Sequence, residues 1–177
     1  MKKVSITLVF GLMVFFVSAQ EPDFSSIDVV MKSFYDALST DNPESRSKKL
    51  AKLFTIDGQI TSVNHVAHKP ASIKNGSWKS FFSGSTSLYT SFKVSNDEVE
   101  RSADYYGEIA SVQGLVYQTL TSKSNGKTYA QLYWMQIDLV FYNNRWYIDY
   151  ASWTNQYQNT NVEEAILSDT IWHQLSQ

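Results

Sequence analysis

The sequence predicts an α+β protein in which N-terminal helices pack on a strongly curved, mostly antiparallel sheet. Three observations carry that reading. Early in the chain Ile27, Val30, Met31, Phe34 and Leu38 recur at helical spacing. From Ser91 onward the chain changes to long runs of β-branched and aromatic residues. Those runs are parted by Asp104-Tyr105-Tyr106-Gly107, Asn125-Gly126 and Asn143-Asn144, residue types that suit tight turns. Helices followed by a meander is the order of an α+β chain, with helices gathered on one face of the sheet.

The first residues read as an export signal. Lys2 and Lys3 form a basic start, Ile6 to Val17 an apolar core, and Val17-Ser18-Ala19 a small-residue cleavage site, with cleavage expected after Ala19. The apolar run falls short of the roughly 20 residues of a bilayer span. It is followed by Gln20-Glu21-Pro22 rather than a basic stop-transfer flank, so no stable membrane anchor is expected after cleavage. The remaining chain is long enough for one domain, expected over 20–158, with a C-terminal helical tail over 159–177.

A first helix starts behind Ser25-Ser26 and buries the Ile27 to Leu38 stripe. Asp41-Asn42-Pro43-Glu44 supplies a cap, a first-turn proline and a dipole-complementing acid for a second helix running to about Phe54. Asp57-Gly58 punctuates the chain, and Gln59 to Val66 alternates as a first strand. Ser77 caps a short helix carrying Trp78, Phe81 and Phe82, which Gly84 ends. Strands follow over Phe92–Glu100, Glu108–Ser122, Thr128–Tyr142 and Arg145–Thr154, all joined as hairpins. Asn-Gly supplies the two positive-φ residues of a type I′ turn, and Asn-Asn tolerates the same geometry.

Both parities of the Tyr129 to Tyr142 run are partly apolar: Tyr133, Met135, Ile137 and Leu139 on one, Leu132, Trp134 and Val140 on the other. Both sheet faces are therefore expected to be covered, one by helices. The other falls to a second copy in a homodimer, or to the tail, where Asn161 caps a helix with Val162, Ala165, Ile166 and Trp172 on one stripe.

Composition excludes several classes. With no cysteine the exported chain folds without disulfides and cannot carry a lipid on an N-terminal cysteine, so a soluble periplasmic or secreted protein is expected. A net charge of −2 and a pI near 5.9 offer no basic field for nucleic acid. No Gly-rich phosphate loop, Gly-x-Ser-x-Gly elbow or His-Glu-x-x-His helix appears, and no cofactor is expected.

The candidates for chemistry are few. His65 and His68 lie three apart, which puts them on opposite faces of a strand, so no metal site is expected there. His65 is still the leading candidate for an acid or base, because histidine titrates near neutral pH. Asp138 and Asp149 fall directly opposite each other if Asn143-Asn144 is a two-residue loop, and paired carboxylates raise one pKa. Asp57 stabilises its turn. Aromatic residues are 15% of the chain, and Trp78, Trp134, Trp146 and Trp153 with Tyr35, Tyr89 and Tyr150 suffice to line a cavity. Trp146, alternating with Ile148, reads instead as helix-facing core.

Three segments carry a resemblance: Phe34-Tyr35-Asp36-Ala37-Leu38, Leu53-Phe54-Thr55-Ile56-Asp57-Gly58, and Asn143-Asn144-Arg145-Trp146-Tyr147-Ile148. Through them the chain resembles the nuclear transport factor 2-like superfamily, including SnoaL-like polyketide cyclases and ketosteroid isomerases, from about Ile27 to Trp153. The resemblance implies a cystatin-like cone with a cavity between helices and sheet. It places Ser62 where a ketosteroid isomerase has its carboxylate base and Met31 where it has its tyrosine. Serine is too weak a base and a thioether donates no hydrogen bond, so that chemistry is not expected. The expected ligand-binding set is Tyr35, Ser62, His65, Trp78, Tyr89, Trp134 and Tyr150, around a small, partly apolar molecule. The alternatives are an isomerase, dehydratase or cyclase using His65, Asp138 or Asp149 in the same pocket, and a module that dimerises or docks a partner through the outer sheet face.

Overall fold

In the computed structural model, which describes residues 22–64, 70–83 and 86–155, α1 (Ile27–Leu38) forms on the predicted stripe. Ile27, Val30, Met31, Phe34 and Leu38 are all buried, joined by Tyr35 and Ala37. Ser26 occupies the cap position without a side-chain capping bond. The second helix, α2 (Pro43–Ala51), is better capped: Asn42 Oδ1 accepts from the Ser45 N–H at 2.8 Å and Pro43 sits in the first turn. It ends before the expected Phe54, because Lys52 and Leu53 close back on Lys49 and Leu50 through tighter i to i−3 bonds.

Phe54 instead opens the sheet. Its strands are β1 (Phe54–Asn64), β2 (Ser72–Ser77), β3 (Phe92–Tyr106), β4 (Ile109–Ser122), β5 (Thr128–Tyr142) and β6 (Arg145–Asn155), with α3 (Trp78–Ser83) and α4 (Thr86–Ser91) between β2 and β3. The spatial order is β2-β1-β6-β5-β4-β3, antiparallel throughout except where β1 lies parallel to β6. Register shifts in the β1–β6, β3–β4 and β5–β6 pairs mark bulges, which bend strands and add twist. No helix among the described residues is long and apolar enough to cross a membrane.

β2 and α4 lie outside the sequence reading for a physical reason. β2 is an edge strand of sequence SIKNGS whose single apolar residue, Ile73, is 71% exposed, so no alternation marks it. β1 starts five residues earlier than Gln59 because Asp57-Gly58 lies within the strand, at its irregular stretch against β6. Gly58 is required by space: a Cβ there would stand 2.8 Å from Phe54 Cδ1 and 3.2 Å from the Ile148 carbonyl oxygen. Gly58→Ala is expected to lower stability by about 1–3 kcal/mol through overpacking, read from the urea midpoint at unchanged slope.

Asn143 and Asn144 both take left-handed backbone, φ 50° and 61°, as a type I′ turn requires. The Asn125-Gly126 hairpin departs from that expectation, since of the pair only Gly126 is left-handed, at φ 71°. Its four-residue loop, 123–126, is closed by the Ser122 N–H to the Lys127 carbonyl at 2.8 Å, and Asn125 Oδ1 accepts the Lys127 N–H at 3.0 Å. β3 also runs on to Tyr106, so the turn there shrinks to Gly107-Glu108.

The helix-facing side of the sheet carries Ile60, Val112, Val116, Ile137, Leu139, Ile148 and Ala151, all buried in one core with α1. Phe34 meets Phe54 edge-on at 5.9 Å, and Phe54 stacks on Trp78 at 5.8 Å. The opposite face has its own apolar cluster, in which Leu115 and Leu132 are buried with Val99, Tyr117 and Trp134 packed against them. Both faces therefore bury apolar residues, as the two parities predict. The tail from Asn161 lies outside the described residues.

Candidate functional site

Strand pairing alone sets out one wall of a cavity. Ser62 on β1 is the register partner of Lys74 on β2 and of Trp153 on β6, and Trp153 is the partner of Met135 on β5. One step along, Val116 faces Tyr133, then Gln118 faces Gln131, and Asn96 faces Gln118. Leu38 at the end of α1, Phe81 and Phe82 from α3, and Leu88 and Tyr89 from α4 close over this wall. The half-open space so formed is about 230 Å³. Its lining shares Leu38, Phe81, Phe82, Val116 and Met135 with the core that holds Phe34, Phe54, Trp78 and Trp146.

Polar groups in the cavity are tied to one another. Gln131 Nε2 donates to Gln118 Oε1 at 2.9 Å, and Gln118 Nε2 donates to Asn96 Oδ1 at 2.8 Å. Asn96 in turn gives both its backbone N–H and its Nδ2 to Ser39 Oγ, at 3.1 and 3.3 Å. That chain fixes which end of each amide faces which neighbour. Asn64 Nδ2 donates to Ser62 Oγ at 3.4 Å, and Ser62 is itself only 3% exposed.

α4 is held over the opening by a buried cation. The Arg46 guanidinium lies 3.4 Å over the Tyr89 ring, donates through Nη1 to the Thr40 carbonyl at 2.9 Å, and is 2% exposed. Lys123 Nζ donates to the Tyr89 carbonyl at 2.7 Å and pairs with Asp41 at 3.3 Å. Burial lowers the Arg46 pKa, with Tyr89 and Asp41 opposing it. Burial also raises the Tyr89 phenol, against the attraction of Arg46. Tyr133 is pushed up to about 12, chiefly by burial, so it stays a neutral hydroxyl donor at any ordinary pH.

Of the residues expected at the site, Ser62 and Tyr89 line this cavity. Tyr35 does not. Its hydroxyl is buried with no hydrogen-bond partner among the described residues, beside a separate charged groove of Asp28, Lys32, Asp36, Asp97, Glu98 and Arg101. Burial, and then the Glu98 carboxylate, raises its pKa. Trp78 is core, its Nε1 donating to the Thr55 carbonyl at 3.2 Å. Trp134 packs with Leu115 and Leu132 on the far face of the sheet.

The Asp138–Asp149 pairing needs correction. β6 carries an extra residue between its partners for Leu139 and Asp138, so Asp138 faces Tyr150 and Asp149 is left in the bulge. Asp138 accepts from Ser111 Oγ at 2.8 Å and Gln136 Nε2 at 3.3 Å, whereas Asp149 accepts from Thr55 Oγ1 at 2.9 Å. The two carboxylates have different partners, and neither lines the cavity. His65 and His68 lie outside the described residues, among which no cluster of three metal-binding side chains occurs. Met31 is 1% exposed in the core.

Lys74, Asn64, Asn96, Gln118 and Tyr133 escaped the sequence reading. Lys74 sits on the edge strand that carries no pattern. Gln118 was open to detection: it shares the parity of Val112 and Val116, so a polar side chain points to the helix-facing side, where it must find partners.

No protein-family model and no curated protein matches the sequence. Solved structures do. A nuclear transport factor 2-like superfamily protein from Salmonella enterica superposes with a TM-score of 0.57 at 14% identity, covering 76% of this chain and 91% of the other. An uncharacterised protein with a cystatin-like fold from Caulobacter vibrioides gives 0.57 at 14%, covering 81% and 96%. A Novosphingobium aromaticivorans protein provisionally named a scytalone dehydratase gives 0.57 at 13%, covering 74% and 82%. At these identities the likeness speaks for the fold alone, and with the helix-covered open sheet and its bulges it identifies the chain as an α+β protein of nuclear transport factor 2-like, cystatin-like fold.

Proposed function

We propose that the protein binds a small, partly apolar molecule in the cavity between α3, α4 and the sheet. The observation that carries this reading is a half-open space of about 230 Å³ with aromatic walls and a few oriented polar groups. Its size favours a ligand of one or two rings. Leu88, half-buried on α4, lies over the space, so Leu88→Trp is expected to fill it without disturbing the core. Calorimetric titration with the neutral probe 2-naphthamide should give saturable binding to the native chain and at least about tenfold weaker binding to the variant. Equal affinity for both proteins would place the probe elsewhere.

The fold neighbour provisionally named a scytalone dehydratase supports keeping an isomerase, dehydratase or cyclase activity as an alternative use of the same pocket. The titratable side chains on the described wall are Lys74, Tyr89 and Tyr133, and burial keeps both tyrosines protonated, which fits them as hydroxyl donors in such chemistry and not as its base. Val99, Tyr117 and Trp134, only partly buried around Leu115 and Leu132 on the outer face, support a second reading, a homodimer or docked partner there. Function in the periplasm or outside the cell is proposed on the basic start, the apolar run and the Val17-Ser18-Ala19 site.

A further inference from the structure

The cavity wall is chemically lopsided. Among its described residues the side chain with a full charge at neutral pH is Lys74, and the others are apolar, aromatic, hydroxyl or amide groups. Lys74 stands on the edge strand β2, where its Nζ donates to the Phe81 carbonyl at 3.0 Å and lies 4.3 Å from the centre of the Phe81 ring. Lys74 is exposed as a residue, and these contacts lean its ammonium toward the aromatic side of the opening. Its register partner Ser62 lies deeper in the same wall, and Ser62 accepts from Asn64, which leaves the Ser62 hydroxyl proton to be given to another oxygen. Tyr133 adds a second hydroxyl to the wall from β5, which β6 separates from β1.

An ammonium at the rim, hydroxyl donors behind it and rings of Phe81, Phe82 and Trp153 around it make a site with matched parts for one kind of molecule. We propose that the ligand is an aromatic or cyclic carboxylate, its ring among the aromatic side chains and its carboxylate directed to Lys74 and Ser62. The proposal rests on the cavity being a ligand site at all. A carboxylate would take a charge-assisted hydrogen bond from the ammonium, a neutral carbonyl a weaker one, and a cationic ligand would meet a like charge at the entrance. The bland role for Lys74 is to satisfy the carbonyl near the end of α3. That role predicts no preference among ligands.

The test compares 2-naphthoate with its neutral isostere 2-naphthamide and the cation 2-naphthylmethylammonium by calorimetry at low salt. The native chain should bind naphthoate about tenfold more tightly than naphthamide, the scale of a charge-assisted hydrogen bond that is partly exposed to solvent. Lys74→Met should erase that preference, weakening naphthoate at least about fivefold more than naphthamide, and Lys74→Arg should retain it. Naphthamide binding as well as naphthoate, tightest binding of the cation, or a Lys74→Met loss shared equally by acid and amide would each overturn the carboxylate assignment and leave the cavity reading intact. Failure of all three probes to bind the native chain would overturn both.

Discussion

Phe34→Ala is expected to lower the unfolding free energy by about 3–5 kcal/mol, the range for deleting a fully buried phenylalanine. Phe34 has no exposed surface and lies where the first helix meets the sheet, touching Tyr35 on its own helix and Phe54 at the start of β1. Phe54 stacks in turn on Trp78, whose indole N–H reaches the Thr55 carbonyl, so collapse of the void would shift a strand and a helix together. A core already close-packed on every side relaxes little, which keeps the loss near the full cavity value. Urea unfolding followed by tryptophan fluorescence measures it; a midpoint displaced by less than 1 kcal/mol equivalent would mean that the region repacks.

Arg46→Ala is expected to cost about 3 kcal/mol and to weaken ligand binding as well, although Arg46 does not line the cavity. The loss has two parts: the Thr40 carbonyl gives up its donor, and the Tyr89 ring gives up the guanidinium stacked on it. Tyr89 lines the opening, so α4 loses one of the contacts that hold it over the ligand. Arg46→Met separates packing from charge, since it keeps much of the stem volume. If stacking and the hydrogen bond matter as described, thermal unfolding should place Met between arginine and alanine, with affinity for 2-naphthamide following the same order. A methionine variant as stable as the native chain would assign the effect to volume alone.

The contrast between these two residues reflects what a sequence makes legible. Phe34 announces itself, because helical spacing repeats through Ile27, Val30, Met31 and Leu38 and a stripe of that kind must be buried. Arg46 does not, for it lies in a helix of low apolar content, PESRSKKLA, and its burial depends on an aromatic ring brought from another helix. The paired turn residues Asn143 and Asn144 were legible to the backbone angle. The bulge a few residues later was not, because an extra residue in a strand depends on what the neighbouring strand needs. That single residue is why Asp138 and Asp149 do not face each other. Lys74 and Ser62 come together across a strand pair in which Ser62 was reached through the resemblance that runs into β1, while the edge strand of Lys74 carries no pattern.

The strand order β2-β1-β6-β5-β4-β3 has a consequence for how the molecule is made. The β1–β2 pair, with Ser62, Asn64 and Lys74, joins the rest of the sheet through β6 alone. β3, β4 and β5 can zip up as successive hairpins soon after they are synthesised, whereas the β1–β2 pair must wait for β6, about ninety residues downstream of β1, before it joins the rest of the sheet. Loop closure over that distance is slow and comes late, so the ligand wall is the last part of the sheet to be set in place. A ligand bound as proposed, between Lys74 and the rings opposite, would fasten the seam that closes last.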